Sequence, residues 1–221
     1  MDPKTRKSDQ GNACVERDIT MTKQTNNSMK TYRLVLSALM VAMATVLSLL
    51  TPIQLPFGGS VTLFSMVPLI VVSWLYGPKW GMGTGLVFGL IQMLFGMSNF
   101  GYVSGMVAYT ILILADYIVP FTAMGLAGIF RGKIRKDTVA ISVGAVMSCL
   151  IRFVCHFISG VTIWNSFANG HTWKLILIYS LTYNGSYMVP ETIITVLGCI
   201  LLAAFLLPRL DQTGRLRGKK S

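Results

Sequence analysis

Between residues 152 and 191 an otherwise greasy chain gathers Arg152, His156, Trp164, Trp173, Tyr179, Tyr183, Asn184 and Glu191, on two helix-like apolar stretches that meet at a turn. Asp116, next to Tyr117, adds a carboxylate from an earlier apolar segment. Ionisable groups inside a bilayer are costly and face a protein interior or a cavity. These residue types suit non-covalent capture. A carboxylate attracts a cation, an imidazole and an amide exchange hydrogen bonds, and indole and phenol faces stack on a flat ring. Covalent chemistry has no counterpart motif: the chain has no Walker A loop, no GxGxxG leading a soluble βαβ unit and no nucleophile elbow. Metal binding is also disfavoured, because His156 and His171 are the only histidines and no carboxylate or cysteine stands at ligand spacing to them. The pattern points to a polar, ring-containing solute held within the membrane.

Each candidate has a plainer reading beside the functional one. Asp116 either pairs with Arg152, tying two helices together, or meets a cationic ligand; its two oxygens allow both. Tyr117 is a packing aromatic or a site residue, and its hydroxyl needs a partner if buried. Arg152 reads first as a structural counter-charge. His156 lies one turn beyond it on the same helical face, as a helix-packing group or a ligand hydrogen bond. Trp164, Trp173, Tyr179 and Tyr183 resemble an interfacial aromatic belt; Trp164 and Tyr179 stand out by their association with His156 and Asn184. Asn184 offers both a donor and an acceptor for the edge of a heterocycle. Glu191, beside Pro190, is placed to satisfy backbone groups that the proline frees.

The elements that must position these groups follow from composition. Of 221 residues, 53% are hydrophobic and only 12% charged, and mean hydropathy is +0.61. A soluble domain carries about a quarter charged residues, so the excess apolar surface faces lipid. Apolar segments at 33–52, 61–77, 80–97, 104–130, 138–160 and 174–207 read as six transmembrane helices. Residues 1–30 read as a disordered cytoplasmic tail, with Met21 and Met29 as alternative starts; 31–208 as the membrane domain; and 209–221 as a basic cytoplasmic tail. No removable signal peptide precedes the first span.

Charge sets the orientation. Lys30 and Arg33 precede the first span, Lys79 separates the second and third, and Arg131, Lys133, Arg135 and Lys136 separate the fourth and fifth. Arg209, Arg215, Arg217, Lys219 and Lys220 follow the last. Both termini in the cytoplasm satisfy the positive-inside rule. The net charge of +11 then reflects topology and attraction to anionic lipid, not nucleic-acid binding. Cys14, Cys149, Cys155 and Cys199 read as free thiols. Ala38 and Ala42 form a small-xxx-small pair in the first span, a face on which another membrane helix can dock. The spans show no inverted repeat of the kind found in self-sufficient carriers.

The segments PFGGSVTLFSMVPL at 56–69, LADYIVPFTAMGLAG at 114–128, RFVCHFISGVTIW at 152–164 and YSLTYNGSYMVPE at 179–191 resemble the substrate-binding S-component of energy-coupling factor (ECF) vitamin transporters, most closely the thiamine-specific type. The likeness runs from about Met29 to Leu207. It implies an all-α, six-helix integral membrane bundle in a prokaryotic plasma membrane, with no cofactor and no enzymatic activity. It implies that Asp116 and Tyr117 form an acidic–tyrosine pair at the vitamin's amino-pyrimidine and positive charge. His156 and Trp164 become a polar contact and a stacking platform, and Tyr179 and Asn184 a ring contact and an edge contact. Ala38 and Ala42 become the docking face for a transmembrane coupling subunit, itself driven by two ATPases. Asp116 departs from the longer glutamate common in thiamine-type members. Alternatives are an S-component for another heterocycle (riboflavin, a pyridoxine-like compound, a folate precursor), or a membrane enzyme or scaffold subunit.

Overall fold

A computed structural model describes residues 28–55, 58–165 and 172–212, with side chains as far as 205. Residues up to Leu39 and residues from Met40 onward form two compact units. The assigned tail at 1–30 lies outside the described residues up to 27, and residues 28–30 already belong to a helix.

The described residues form six helices and one small hairpin. Helix α1 runs Ser28–Leu49. The hairpin pairs β1 (Ile53–Gln54) antiparallel with β2 (Ser60–Val61), Ile53 opposite Val61 and Gln54 opposite Ser60. Then come α2 (Val67–Tyr76) and α3 (Pro78–Phe95), a 3₁₀ turn at Met97–Tyr102, α4 (Met106–Phe130), α5 (Asp137–Thr162) and α6 (Trp173–Gln212). Helices α1, α4, α5 and α6 through Phe205 are long and apolar enough to cross a membrane.

The second apolar segment differs from the expected span at 61–77. Residues 60–61 pair in the hairpin, Phe64 takes a positive φ of 60°, and α2 begins only at Val67 with Pro68 in its first turn. Ten residues of α-helix cover about 15 Å, half of a hydrocarbon core. Eight of those ten are buried, so α2 is an inner helix whose apolar residues pack against protein on all sides. Its end is set by Gly77, whose φ of 89° needs a glycine, and Pro78 opens α3 immediately. Arg131 then donates from Nη1 to the carbonyls of Trp74 (2.7 Å) and Leu75 (2.9 Å), capping the open end of α2. Ser73 links α2 to the last turn of α4, donating to the Gly125 carbonyl and accepting the Gly128 N–H at 2.9 Å.

Helix α4 is locally widened where the site needs it. Pro120 has no N–H to return to the Asp116 carbonyl four residues earlier, and its ring crowds that carbonyl. The chain answers with a π-helical stretch at Leu112–Ile118, in which the Val119 N–H reaches the Leu114 carbonyl five residues back. Such bulges concentrate at functional sites; this one carries Asp116 and Tyr117. Glycines of α3 let α4 approach: a Cβ on Gly89 would stand 2.8 Å from the Tyr117 carbonyl. The last helix continues through Pro190 as one element.

Candidate functional site

The six helices and the hairpin surround a cavity of about 430 Å³, within the range of small-molecule sites of roughly 300–1,000 Å³. Asp116, Tyr117, His156, Trp164, Tyr179 and Asn184 all line it, and so does Arg152. Residues from four separate sequence segments therefore reach one hollow.

Asp116 is its electrostatic centre. Oδ1 lies 3.1 Å from His156 Nδ1, and Oδ2 accepts from Ser159 Oγ at 2.7 Å and from the Trp164 indole N–H at 3.2 Å. His156 and Ser159 are three apart on α5 and so share a face; Trp164 lies just past the helix end at Thr162. A carboxylate held by three donors keeps its charge and its direction. With Nδ1 engaged by Asp116, the ring orientation of His156 is set. Its Nε2 is buried and has no hydrogen-bond partner among the described residues. A buried polar atom without a partner costs about 1–3 kcal/mol, a cost that a bound solute could relieve.

Tyr117 is buried, and its hydroxyl has the partners burial demands. It donates to the Gly96 carbonyl (3.2 Å) and accepts from Asn99 Nδ2 (3.0 Å). Its ring stacks on Phe100 at 6.5 Å, and Phe100 stacks on Tyr109 at 6.0 Å. Tyr117 thus fixes α4 to the connection after α3 while presenting a ring edge to the cavity.

The opposite wall belongs to α6. Tyr179, Tyr183 and Tyr187 recur every four residues along one face. Tyr179 stacks on Tyr183 with centroids 5.9 Å apart, and Tyr187 meets Tyr183 edge-on at 5.8 Å. Asn184 lies behind this wall. Its Nδ2 donates to the Ser180 carbonyl (2.9 Å) and the His156 carbonyl (3.3 Å), and its Oδ1 accepts from the Tyr187 hydroxyl (2.8 Å). In this conformation Asn184 ties α6 to α5 beneath the imidazole.

The hairpin closes the cavity from above α6. Gly59 donates its N–H to the Tyr183 hydroxyl at 3.1 Å. A Cβ at Gly59 would stand 2.8 Å from that oxygen and 2.9 Å from a Tyr187 ring carbon, so only glycine fits the contact. Gln92 completes the wall, donating to Ser48 Oγ at 2.8 Å.

Arg152 does not pair with Asp116. Its Nη1 lies 3.6 Å from Glu191 Oε1, because Asp116 is already engaged by His156 and Glu191 stands across from Arg152 on α6. The pair therefore joins the fifth and sixth spans, not the fourth and fifth. Glu191 is not a satisfier of groups freed by Pro190 either. Its Oε2 accepts the Thr62 N–H (2.6 Å) and its Oε1 the Thr62 hydroxyl (2.7 Å), which clamps the end of the hairpin to α6.

The sequence reading passed over Ser159, Asn99, Tyr187 and the hairpin glycines. Two signals stood in the chain: the four-residue repeat Tyr179–Tyr183–Tyr187, and Ser159 three residues after His156. Nothing local marks Asn99, whose role depends on a turn packing against α4. Trp173 is exposed at the start of α6, and Asn169 lies outside the described residues. Ala38 and Ala42 are both exposed on α1. Cys149, Cys155 and Cys199 are free thiols.

Comparison with known proteins gives one consistent result. The chain matches the thiamine transporter protein family over residues 34–210. It is 35% identical to the thiamine transporter ThiT of Bacillus subtilis (strain 168) over 188 residues, 80% of this chain and 93% of that protein. It is 26% identical to ThiT of Lacticaseibacillus paracasei, over 64% of this chain and 73% of that one. In fold it resembles ThiT from Listeria monocytogenes, with a TM-score of 0.66 and 20% identity over 82% of this chain and 98% of the other. Matched over most of its length, and with a close-fitting relative at 35% identity, the chain belongs to the thiamine transporter protein family, a family of transporters and not of enzymes.

Proposed function

We propose that this chain is the substrate-binding S-component of an ECF-type importer, which captures thiamine from outside a prokaryotic plasma membrane. The observation that carries this reading is the Asp116–His156 pair on an aromatic-walled cavity of about 430 Å³. Thiamine is a permanently cationic heterocycle joined to an amino-pyrimidine. Asp116 compensates its positive charge or accepts from its amino group. Trp164 and Tyr179 supply ring faces, and His156 supplies a hydrogen bond. Tyr117 and Asn184 act from the wall, holding α4 and α5 in place around the ligand. A neutral vitamin such as riboflavin has no need of this carboxylate.

In the proposed arrangement six spans, α2 and α3 included, carry both termini on the cytoplasmic side. Arg131, Lys133, Arg135 and Lys136, between α4 and α5, fall there under the positive-inside rule. That places Asp116, His156 and Trp164 toward the outer face. The chain carries no nucleotide-binding motif, so inward delivery is assigned to a transmembrane coupling subunit with two ATPases. Ala38 and Ala42 are the proposed docking residues. Ala42 lies between Met40 and Met43, which line an apolar groove of about 620 Å³ with Val67 and Leu202, a surface suited to a partner helix within the membrane.

Two consequences can be measured on purified protein. Gly59→Val forces a side chain into Tyr183 and Tyr187; overpacking of this kind costs about 1–3 kcal/mol, and thiamine affinity by calorimetry should fall roughly tenfold. Tyr179→Ala removes one ring face worth about 0.5–2 kcal/mol and should weaken binding by a few-fold to about 30-fold. The reading as a whole is tested by purifying the chain in detergent and identifying co-purifying small molecules by mass spectrometry. Thiamine is the expected species; a different vitamin, bound at stoichiometric level and insensitive to added thiamine, would overturn the assignment.

A further inference from the structure

Arg152 is the polar group whose chemistry the Glu191 pairing leaves unused. It is 93% buried, since only 7% of its surface is exposed, and it lines the same cavity as Asp116 and His156. Its Nε and Nη1 have no hydrogen-bond partner among the described residues. The Glu191 contact at 3.6 Å is well beyond the roughly 2.7–2.9 Å of a charge-assisted hydrogen bond. The reason is visible at Glu191, whose oxygens are taken at 2.6 and 2.7 Å by Thr62. One face of the guanidinium is covered by the Phe121 ring, 5.0 Å from its centroid. What remains is the donor-bearing edge of a buried cation with its charge balanced by Glu191 and its hydrogen-bonding capacity unspent. A merely structural counter-charge would spend it.

Arg152 precedes His156 by one turn on α5, about 6 Å along the axis. Asp116, Ser159 and Trp164 meet at His156 and beyond it toward the end of the helix. The cavity therefore has an acidic, cation-binding end and, one turn along, a donor-only end. We infer that Arg152 is a specificity-determining residue that donates to a hydrogen-bond acceptor on the solute, about one helical turn from the solute's cationic ring. This rests on the binding reading above and adds to it a requirement for a solute with both features. In thiamine the acceptor is either the oxygen of its hydroxyethyl arm or a pyrimidine ring nitrogen; the shared chemistry is a neutral lone pair that faces the guanidinium edge.

The test compares thiamine with two analogues, one lacking the hydroxyl and one with a pyrimidine nitrogen replaced by CH, by calorimetry on the full chain in detergent. The unsubstituted protein should bind one analogue at least about tenfold more weakly than thiamine, and which one identifies the acceptor. Arg152→Lys keeps the charge opposite Glu191 but loses the planar fork of donors. In it that same analogue and thiamine should bind within about twofold of each other. Arg152→Gln/Glu191→Gln, which removes both charges together, should erase the same discrimination and serves if Arg152→Lys folds poorly. Loss of affinity that is equal for thiamine and both analogues would make Arg152 purely structural and overturn the inference. So would an unsubstituted protein that binds all three alike. If thiamine itself fails to bind the unsubstituted protein, the binding reading fails first, a distinct outcome.

Discussion

Asp116→Asn lowers thiamine affinity by about 100-fold or more in calorimetric titration. The substitution keeps the size and one acceptor oxygen of the side chain, so Ser159 or Trp164 retains a partner and α4 keeps its packing. What it removes is the negative charge in the cavity wall. Deleting one partner of a buried, hydrogen-bonded charge pair costs about 2–5 kcal/mol, and each 1.4 kcal/mol is tenfold. His156 Nδ1, 3.1 Å from Asp116 Oδ1, also loses the acceptor that orients the ring, so two ligand contacts suffer together. Lys174→Ala provides the control: Lys174 is exposed at the start of α6, and its removal should leave the affinity within about twofold. Equal affinities for Asp116→Asn and the unsubstituted chain would take the carboxylate out of the site.

The largest expected effect on folding lies at Glu191. Glu191→Ala should destabilise the protein by about 3–5 kcal/mol, seen as a marked fall in melting temperature in detergent. The side chain is 1% exposed and serves three groups at once: Arg152, the Thr62 N–H and the Thr62 hydroxyl. Its loss leaves an uncompensated buried guanidinium, the costly way to break such a pair, and releases the hairpin end from α6. Replacing both charges with apolar groups, as in Arg152→Met/Glu191→Leu, is often close to neutral. That double variant should recover much of the melting temperature, although the Thr62 N–H stays without its acceptor. A double variant no more stable than Glu191→Ala would show that the Thr62 contacts, not the charge pair, hold this corner.

How much was legible beforehand depends on the range of each interaction. Helices α1, α4, α5 and α6 announce themselves as long apolar runs, because lipid contact leaves few other compositions open. The convergence of Asp116, His156, Trp164, Tyr179 and Asn184 was readable from polar groups that a bilayer would otherwise penalise. The choice of partner was not. Asp116 had one obvious cationic neighbour in Arg152, yet His156 takes its Oδ1, and Arg152 turns to a glutamate thirty-nine positions along the chain, as the numbering of the pair shows. Only helix rotation decides between these pairings, and composition does not report rotation. The hairpin at 53–61 was hidden for a related reason. Its two-residue strands are too short for an alternating pattern, and their pairing matters chiefly through Gly59 and Tyr183, 124 residues apart. The widened stretch of α4 did have a local sign in Pro120, four residues after Asp116.

The most direct measurement concerns the imidazole. The chain has two histidines; in a His171→Asn background with ¹⁵N-labelled histidine, every imidazole signal comes from His156. Saturating thiamine should shift the Nε2 resonance strongly, because that nitrogen has no protein partner among the described residues and gains one in the complex. An Nε2 resonance that stays in place while calorimetry shows the same sample saturated with thiamine would contradict the account.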